Sequence, residues 1–227
     1  MAIILNIDTA TEYASVCLSD GNNILAIEEN FEQKNHAAFL QPAIKKIQTA
    51  LQFQLSSLQA IAVTAGPGSY TGLRVGLASA KGLCYALNKP LLLINTLQVM
   101  AHSLAKNYHT DKTNNLLLCP LIDARRMEVF TALYNKHLEP IINPSAIIVD
   151  ESFLKEELKE NTIIMGGSGS KKMLQLITHE NIIFSTTVHN ATDLAAIATQ
   201  QFENKQFTNL AYSEPYYLKE FYTAKKI

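Results

Sequence analysis

A chain of 227 residues is long enough for one large domain or two small ones. With 48% hydrophobic and 17% charged residues it can bury an ordinary core, which excludes a disordered polypeptide. Nineteen Lys and Arg against twenty Asp and Glu leave a formal charge of −1, so the broad basic surplus of a protein that grips nucleic acid by itself is missing. A local patch is all the balance leaves room for.

Cys17, Cys84 and Cys119 stand far apart in apolar stretches, with no C-x-x-C pair, the pattern of buried small hydrophobes in a reducing compartment. The apolar run that opens the chain has no basic segment before it and stops at Asp8. That is too short for a signal peptide or a membrane span, and it predicts a cytoplasmic protein with no membrane contact.

In chain order, residues 2–8 form an apolar β-branched run. Tyr13–Leu18 resumes as a second strand, and Gly21-Asn22-Asn23 turns into a third at Ile24–Glu28. His36, Phe39, Leu40, Ala43, Ile44, Ile47 and Leu51 recur at helical spacing and predict an amphipathic helix. Ile61–Thr64 reads as a buried strand broken by Gly66-Pro67-Gly68-Ser69. A helix is expected over about 71–87, ended by Asn88-Lys89-Pro90, and Leu91–Ile94 is a further strand. This order predicts an α/β fold, a mixed sheet with helices on its faces.

The second half opens in the same way. Leu116–Ile122 ends in Asp123 and is followed by a short turn and a strand over Glu128–Tyr134. Aligning Asp8 with Asp123 brings Glu12 onto Glu128 after a one-residue shift, which predicts an internal duplication into two lobes. The polar stretch Lys106–Asn115 marks their boundary, giving lobes at 1–106 and 107–227. Beyond it, Asp150–Glu160 reads as helix, Thr162–Met165 as a short strand, and Gly166-Gly167-Ser168-Gly169 as a turn into a helix. Thr192 to about Phe202 is a helix capped by Thr192 or Asn190, and the tail Pro215-Tyr216-Tyr217-Leu218 is expected to pack back on a lobe.

Asp8, Thr9 and Thr11 sit where a strand ends in a turn, a place from which a carboxylate can hold Mg²⁺ through water and a hydroxyl can reach phosphate. Ala10 puts a Cβ where close backbone approach to phosphate favours Gly, and a plain hairpin turn explains the same residues. Gly66, Gly68 and Ser69 lead a strand into a helix and would present free N–H groups to an anion, but no P-loop Lys follows. Gly72, Gly76 and Gly82 with Ala78, Ala80 and Ala86 leave that helix small-sided. Each helical Gly costs about 1 kcal/mol against Ala, so close packing must repay it, within the chain or at a subunit interface. Gly166 and Gly167 would suit an adenosine or a simple connector. Asp123-Ala124-Arg125-Arg126-Met127-Glu128 reads as a charged tight turn, or as an Arg meeting a phosphate or a partner carboxylate. No two of the six His lie three or four apart, and there is no G-x-S-x-G, so neither a helical metal pair nor a hydrolase elbow is present.

Taken together, Ile4–Thr11, Gly66–Gly76 with Ala80-Lys81-Gly82-Leu83, and Asp123–Val129 resemble the TsaB (YeaZ-type) family. The likeness thins beyond residue 140, and Lys219 stands where relatives often carry Arg after Tyr-Leu. The resemblance implies a duplicated actin-like (ASKHA, ribonuclease H-like) fold. It also implies a non-catalytic role in forming N6-threonylcarbamoyladenosine at position 37 of tRNAs that read codons beginning with A. The catalyst there is the paralogue TsaD, whose metal is held by two His of a His-x-x-x-His helix, and an ATPase, TsaE, joins them.

Thr96 and Met100 align with those two His, and a hydroxyl and a thioether do not replace imidazoles. No metal or cofactor is therefore expected. Asp8, Thr9, Thr11, Gly66, Gly68, Ser69, Gly166 and Gly167 remain as a vestigial nucleotide or phosphate site. His36, Leu40, Leu73, Val75, Gly76, Leu77 and Ala80 are the expected interface to TsaD, or to a second copy when TsaD is absent, with tRNA met only indirectly. The alternatives are an actin-like ATP-dependent phosphotransferase built on Asp8, Thr11 and Gly166–Gly169, and, weakest, a metallopeptidase.

Overall fold

The computed structural model describes residues 2–32, 35–108 and 115–219. Most of the boundary stretch Lys106–Asn115 lies outside the described residues.

The first sheet is built from β1 (Ile3–Asp8), β2 (Ala14–Asp20), β3 (Asn23–Asn30), β4 (Ala60–Gly66) and β5 (Leu91–Asn95), in the order β3-β2-β1-β4-β5. β1 runs antiparallel to β2 and parallel to β4. The second sheet comprises β6 (Leu116–Asp123), β7 (Glu128–Asn135), β8 (Pro140–Ile148), β9 (Thr162–Gly166) and β10 (Ile182–Ser185), in the order β10-β9-β6-β7-β8. β6 likewise runs antiparallel to β7 and parallel to β9. The two sheets are one topology used twice, so Asp8 and Asp123 end equivalent strands. The registers Asp8↔Ser15 and Asp123↔Val129 make Ala14, not Glu12, the counterpart of Glu128.

Period-two alternation sorts the first sheet's side chains between two cores. Leu5, Ile7, Ile61 and Val63 face α1 (His36–Ala50) and α2 (Tyr70–Leu87), whereas Ile4, Ala60, Ala62, Leu92 and Ile94 face α5 (Ala191–Glu203). On the second sheet, Leu117, Leu121, Val129 and Met165 face α4 (Ser170–Leu176), and Leu118, Ile122 and Ile164 face α3 (Thr96–Asn107). Each sheet thus borrows one helix from the other half of the chain. α3 carries Leu97, Met100 and Leu104 to the second sheet, and α5 returns Leu194, Ile197 and Ala198 to the first. Full burial of each such side chain contributes about 1.5–3 kcal/mol, so the exchange binds the two lobes firmly.

The helix starts follow local chemistry. Ser69 Oγ accepts from Gly72 N at the head of α2, and Asn95 Oδ1 accepts from Leu97 N at the head of α3. At α5 the cap is Asn190, in a reciprocal box with Asp193. The expected helix over Asp150–Glu160 is not formed: turns fill that stretch, with one 3₁₀ turn at Glu157–Lys159. Only Leu154 and Leu158 there are buried, too little apolar surface to hold a full helical face. β8, β10 and α3 are elements that periodicity alone missed. All three cysteines are free and buried, and burial pushes each thiol up to about 12. Among the described residues, no helix is long and apolar enough to cross a membrane.

Candidate functional site between the lobes

The Asp8 turn is closed on itself. Asp8 is 2% exposed, and its Oδ1 accepts from Ala10 N at 3.1 Å and from Thr64 Oγ1 at 2.9 Å. Its Oδ2 lies 3.3 Å from His189 Nε2, on the segment that leads into α5. His189 was not identifiable from the sequence, because nothing local ties it to a carboxylate so far away along the chain. A cavity of about 210 Å³, bordered by Tyr13, Glu29, Phe31 and Asn190, opens beside this pair. Thr9 Oγ1 donates to Gly72 O at 2.8 Å, and Thr11 O is 2.8 Å from His36 Nε2.

The glycines of the next segment exist to let α2 reach that turn. A Cβ on Gly68 would collide with the Ala10 carbonyl, one on Gly72 with the Thr9 carbonyl, and one on Gly76 with Thr9 Oγ1. Gly66 is held at φ +115° with the Tyr216 carbonyl 2.5 Å from where a Cβ would sit, so only Gly fits. Three donors at the head of the helix already have partners: Gly66 N donates to Thr96 Oγ1, Ser69 N to Ala10 O, and Gly72 N to Ser69 Oγ.

α3 joins this turn to its counterpart in the second lobe. Thr96, at its start, holds Gly66; one turn on, Met100 lies against Gly167, and Leu104 lies against Gly166. The structure therefore brings Asp8, Thr9, Gly66, Gly68 and Ser69 into one tight cluster and sets Gly166 and Gly167 across α3 from it. The tail packs back against this cluster. Tyr216 N donates to Ala65 O at 2.7 Å, Lys81 Nζ reaches Ala211 O and Ser213 O, and Lys219 pairs with Glu128 of the second lobe. At the β6–β7 turn, burial works to raise the Asp123 carboxyl, but Lys172 Nζ at 2.8 Å and the Arg125 N–H outweigh it and hold the pKa below the usual range.

The model of the family "TsaD: tRNA N6-adenosine threonylcarbamoyltransferase" matches residues 28–227. A Bacillus subtilis tRNA threonylcarbamoyladenosine biosynthesis protein TsaB is 30% identical over 77% of this chain and 74% of its own. The chain belongs to the TsaB (YeaZ-type) family. The Escherichia coli TsaB is 28% identical over 99% of this chain and 97% of its own. A Pseudomonas aeruginosa crystal structure described as similar to peptidase YEAZ superposes with a TM-score of 0.83 at 22% identity, covering 96% of this chain and all of that one. The fold extends to the Clostridium difficile activator of 2-hydroxyisocaproyl-CoA dehydratase, at a TM-score of 0.51 and 10% identity over 90% of this chain and 97% of that one. This is the duplicated actin-like fold expected from the resemblance.

Within this TsaB-family fold, the position of the implied metal helix is α3, where Thr96 is fully buried with its hydroxyl engaged by Gly66 and Met100 is 5% exposed. Such a pair offers no imidazole to a cation. Among the described residues, no group of three or more His, Cys, Asp or Glu could hold a metal ion.

The residues expected at a partner interface require correction. Leu40, Leu73, Leu77 and Ala80 are no more than 5% exposed. Leu40, Leu77 and Ala80 lie in the first lobe's core, and Leu73 packs toward Gly66. Gly76 abuts Thr9, Val75 is half-buried against the same core, and the buried His36 is spent on Thr11. Six of the seven are buried within the first lobe, where they support the Asp8 turn and its sheet, and only Val75 keeps part of its surface exposed. What the same helices leave exposed is the other side: Ala78, Gly82, Tyr85 and Ala86 on α2, and Ala38, Gln41, Pro42 and Lys45 on α1, with Gln41 Nε2 donating to Ser79 Oγ between them. A Cβ on Gly82 would meet nothing within 4 Å.

Proposed function

We propose that this TsaB-family chain serves tRNA threonylcarbamoyladenosine biosynthesis as a non-catalytic scaffold. It would hold a TsaD-like transferase in competent form, with a TsaE-like ATPase joining the assembly and tRNA bound chiefly by the partner. The observation that carries this reading is the exposed flank of α1 and α2 beside a turn cluster in which the Gly66, Ser69 and Gly72 N–H groups already have internal partners. The Ala78, Gly82 and Ala86 side of α2 lets another helix approach closely, with the exposed Tyr85 ring beside it to be covered. In the transferase's absence a second copy would cover the same flank, giving a homodimer. The setting for this role is the cytoplasm. The phosphotransferase alternative needs the N–H donors of Gly66, Ser69 and Gly72, which already have partners.

The test is reconstitution with the transferase and ATPase subunits. A complete mixture should form threonylcarbamoyladenosine on tRNA, omission of this chain should abolish it, and the chain alone should form none. Gly82→Arg should raise the dissociation constant for the transferase more than tenfold, about 1.4 kcal/mol. An unchanged constant, or product formed by this chain alone, would sink the scaffold reading.

A further inference from the structure

The tail does more than pack against Gly66: it joins exposed aromatic rings and a cation of the first lobe and, through Lys219, reaches the β6–β7 hairpin of the second. On the first lobe, the rings of Tyr70 and Tyr217 stack with centroids 5.5 Å apart at 33°. The Arg74 guanidinium lies 4.0 Å over the Tyr70 ring, and its Nε donates to Tyr217 Oη at 3.1 Å. Tyr217 keeps 42% of its surface exposed. Two residues on, Lys219 pairs with Glu128, whose N–H donates to the Arg125 carbonyl at the tip of the β6–β7 hairpin. Arg125 and Arg126 are both exposed there and hold φ of 70° and 48°. Asn and Gly hold left-handed backbone at a hairpin tip far more easily than Arg does, so two consecutive arginines call for a use of their charge.

The acids around that tip are neutralised from within. Lys172 takes Asp123, and Lys219 takes Glu128. The guanidinium charges of Arg125 and Arg126 are therefore left in excess, with exposed Lys171 beside Lys172 at the start of α4. A chain with an overall charge of −1 thus carries two exposed arginines at a hairpin tip that the Lys219–Glu128 pair ties to the tail bearing the half-exposed Tyr217 ring. Exposed rings with adjacent cations match the chemistry of unpaired nucleotides: a base stacks on the ring, and the phosphates on either side meet the cations. A duplex, with its bases stacked on one another, offers nothing to the ring.

We propose that Tyr217 with Arg74, and the Arg125–Arg126 hairpin tip, form a binding surface for a single-stranded segment of RNA, Tyr217 stacking on a base and the two hairpin arginines meeting backbone phosphates. The neutral charge total forbids tight binding by the chain alone, but not a weak local contact that becomes useful when a larger assembly holds the same RNA. The idea does not rest on the scaffold role and is measured without a transferase subunit, so either can fail alone.

The experiment titrates the full chain into a fluorescein-labelled single-stranded oligoribonucleotide at low salt and follows anisotropy. The same strand annealed to its complement serves as the control ligand. The single strand should bind and the duplex should bind more weakly. Arg125→Ser with Arg126→Ser should weaken strand binding at least tenfold and reduce the slope of log K against log salt by about 1.4, roughly 0.7 for each phosphate no longer neutralised. Tyr217→Ala should weaken it roughly fivefold or more with the salt slope unchanged, while Tyr217→Phe, which keeps the ring, should bind like the parent. Lys136→Ser, exposed in the turn at the opposite end of β7 from the hairpin tip, should also bind like the parent. Circular dichroism of each variant confirms that the fold persists. No binding by the parent chain, equal binding of duplex and strand, full affinity in Tyr217→Ala, or an equal loss in Lys136→Ser would each overturn the assignment.

Discussion

Two glycines six residues apart on α2 should respond in opposite ways to the same methyl group. A Cβ on Gly82 meets nothing within 4 Å, so Gly82→Ala removes only the backbone entropy cost of a helical glycine, a gain of up to about 1 kcal/mol. For a chain of this size that raises Tm by roughly 2–4 °C. A Cβ on Gly76 would collide with Thr9 Oγ1 and come within 3.3 Å of Val63 Cγ2. Overpacking costs about 1–3 kcal/mol, and displacing Thr9 loses its hydrogen bond to Gly72 O, about another 1 kcal/mol. Against the helix gain of about 1 kcal/mol, the net loss is roughly 1–3 kcal/mol, a fall in Tm of several degrees. Differential scanning calorimetry of the two variants reads both numbers, and analytical ultracentrifugation separates stability from association: Gly82→Arg should stay folded and lose dimerisation or partner binding. If Gly76→Ala melted no lower than the parent while Gly82→Ala destabilised the chain, the assignment of α2's inner and outer sides would be wrong.

Other consequences follow from the same geometry. Replacing His189 by Ala removes the buried ring whose Nε2 lies 3.3 Å from Asp8 Oδ2 and leaves that carboxylate oxygen facing a void, which should cost about 1–3 kcal/mol, seen as a fall in Tm that Asp8→Asn in the same background should partly restore. Burial works to raise the Asp193 carboxyl, but His102, the Asn190 N–H and Lys106 together hold its pKa below the usual carboxylate range. Its stabilisation is therefore full above the ordinary carboxylate pKa and lost as pH falls through the lower folded value. Asp193→Asn should flatten the loss of stability below about pH 4 in acid titrations followed by circular dichroism, and an unchanged acid limb would refute this. Removing the residues after Ser213 deletes the Tyr216–Ala65 bond and the Lys219–Glu128 pair and should speed amide exchange in the Asp8 turn and at the β6–β7 hairpin. The three thiols, each raised to about 12 by burial, should react with Ellman's reagent only after denaturation; rapid native-state labelling would count against the packing.

Strands and helices with a strong period were legible in the residues because one side of each is buried and the other is not. Leu5 and Ile7 alternate with Ile4 into opposite cores, and α1 turns Leu40, Ala43, Ile44 and Ile47 inward. β8 escaped because most of it is exposed or half-buried at a sheet edge, which leaves no clean alternation. The Asp150–Glu160 stretch misled for the opposite reason: its charged residues have good helix propensity but no partner surface to bury. The turn residues Asp8, Gly66 and Gly68 were identifiable by type. That they fill one another was not, since the contact between Gly68 and Ala10 depends on how β1 and β4 pair in parallel. The same gap reversed the reading of α2: small residues announced close packing, but composition could not say that Gly72 and Gly76 face Thr9 while Gly82 faces solvent.

That division gives the cleft its meaning. In an actin-like enzyme the strand-end carboxylate and the glycine turns stay unpaired until a ligand arrives, and leaving them so costs stability. Here Asp8 is matched by Thr64, Ala10 and His189, Gly66 by Thr96, and Ser69 by Ala10. A buried polar group without a partner costs about 1–3 kcal/mol, so each internal match removes a penalty and ties one lobe element to another. Pairing of this kind stiffens the hinge that nucleotide-driven closure would need to bend. On the scaffold role proposed above, such internal pairing would hold the outer flank of α1 and α2 at a fixed angle for another protein. Restoring donors to the cleft, for instance with Thr96→Ala to free Gly66 N, should therefore loosen the lobes in exchange measurements before it confers any nucleotide affinity.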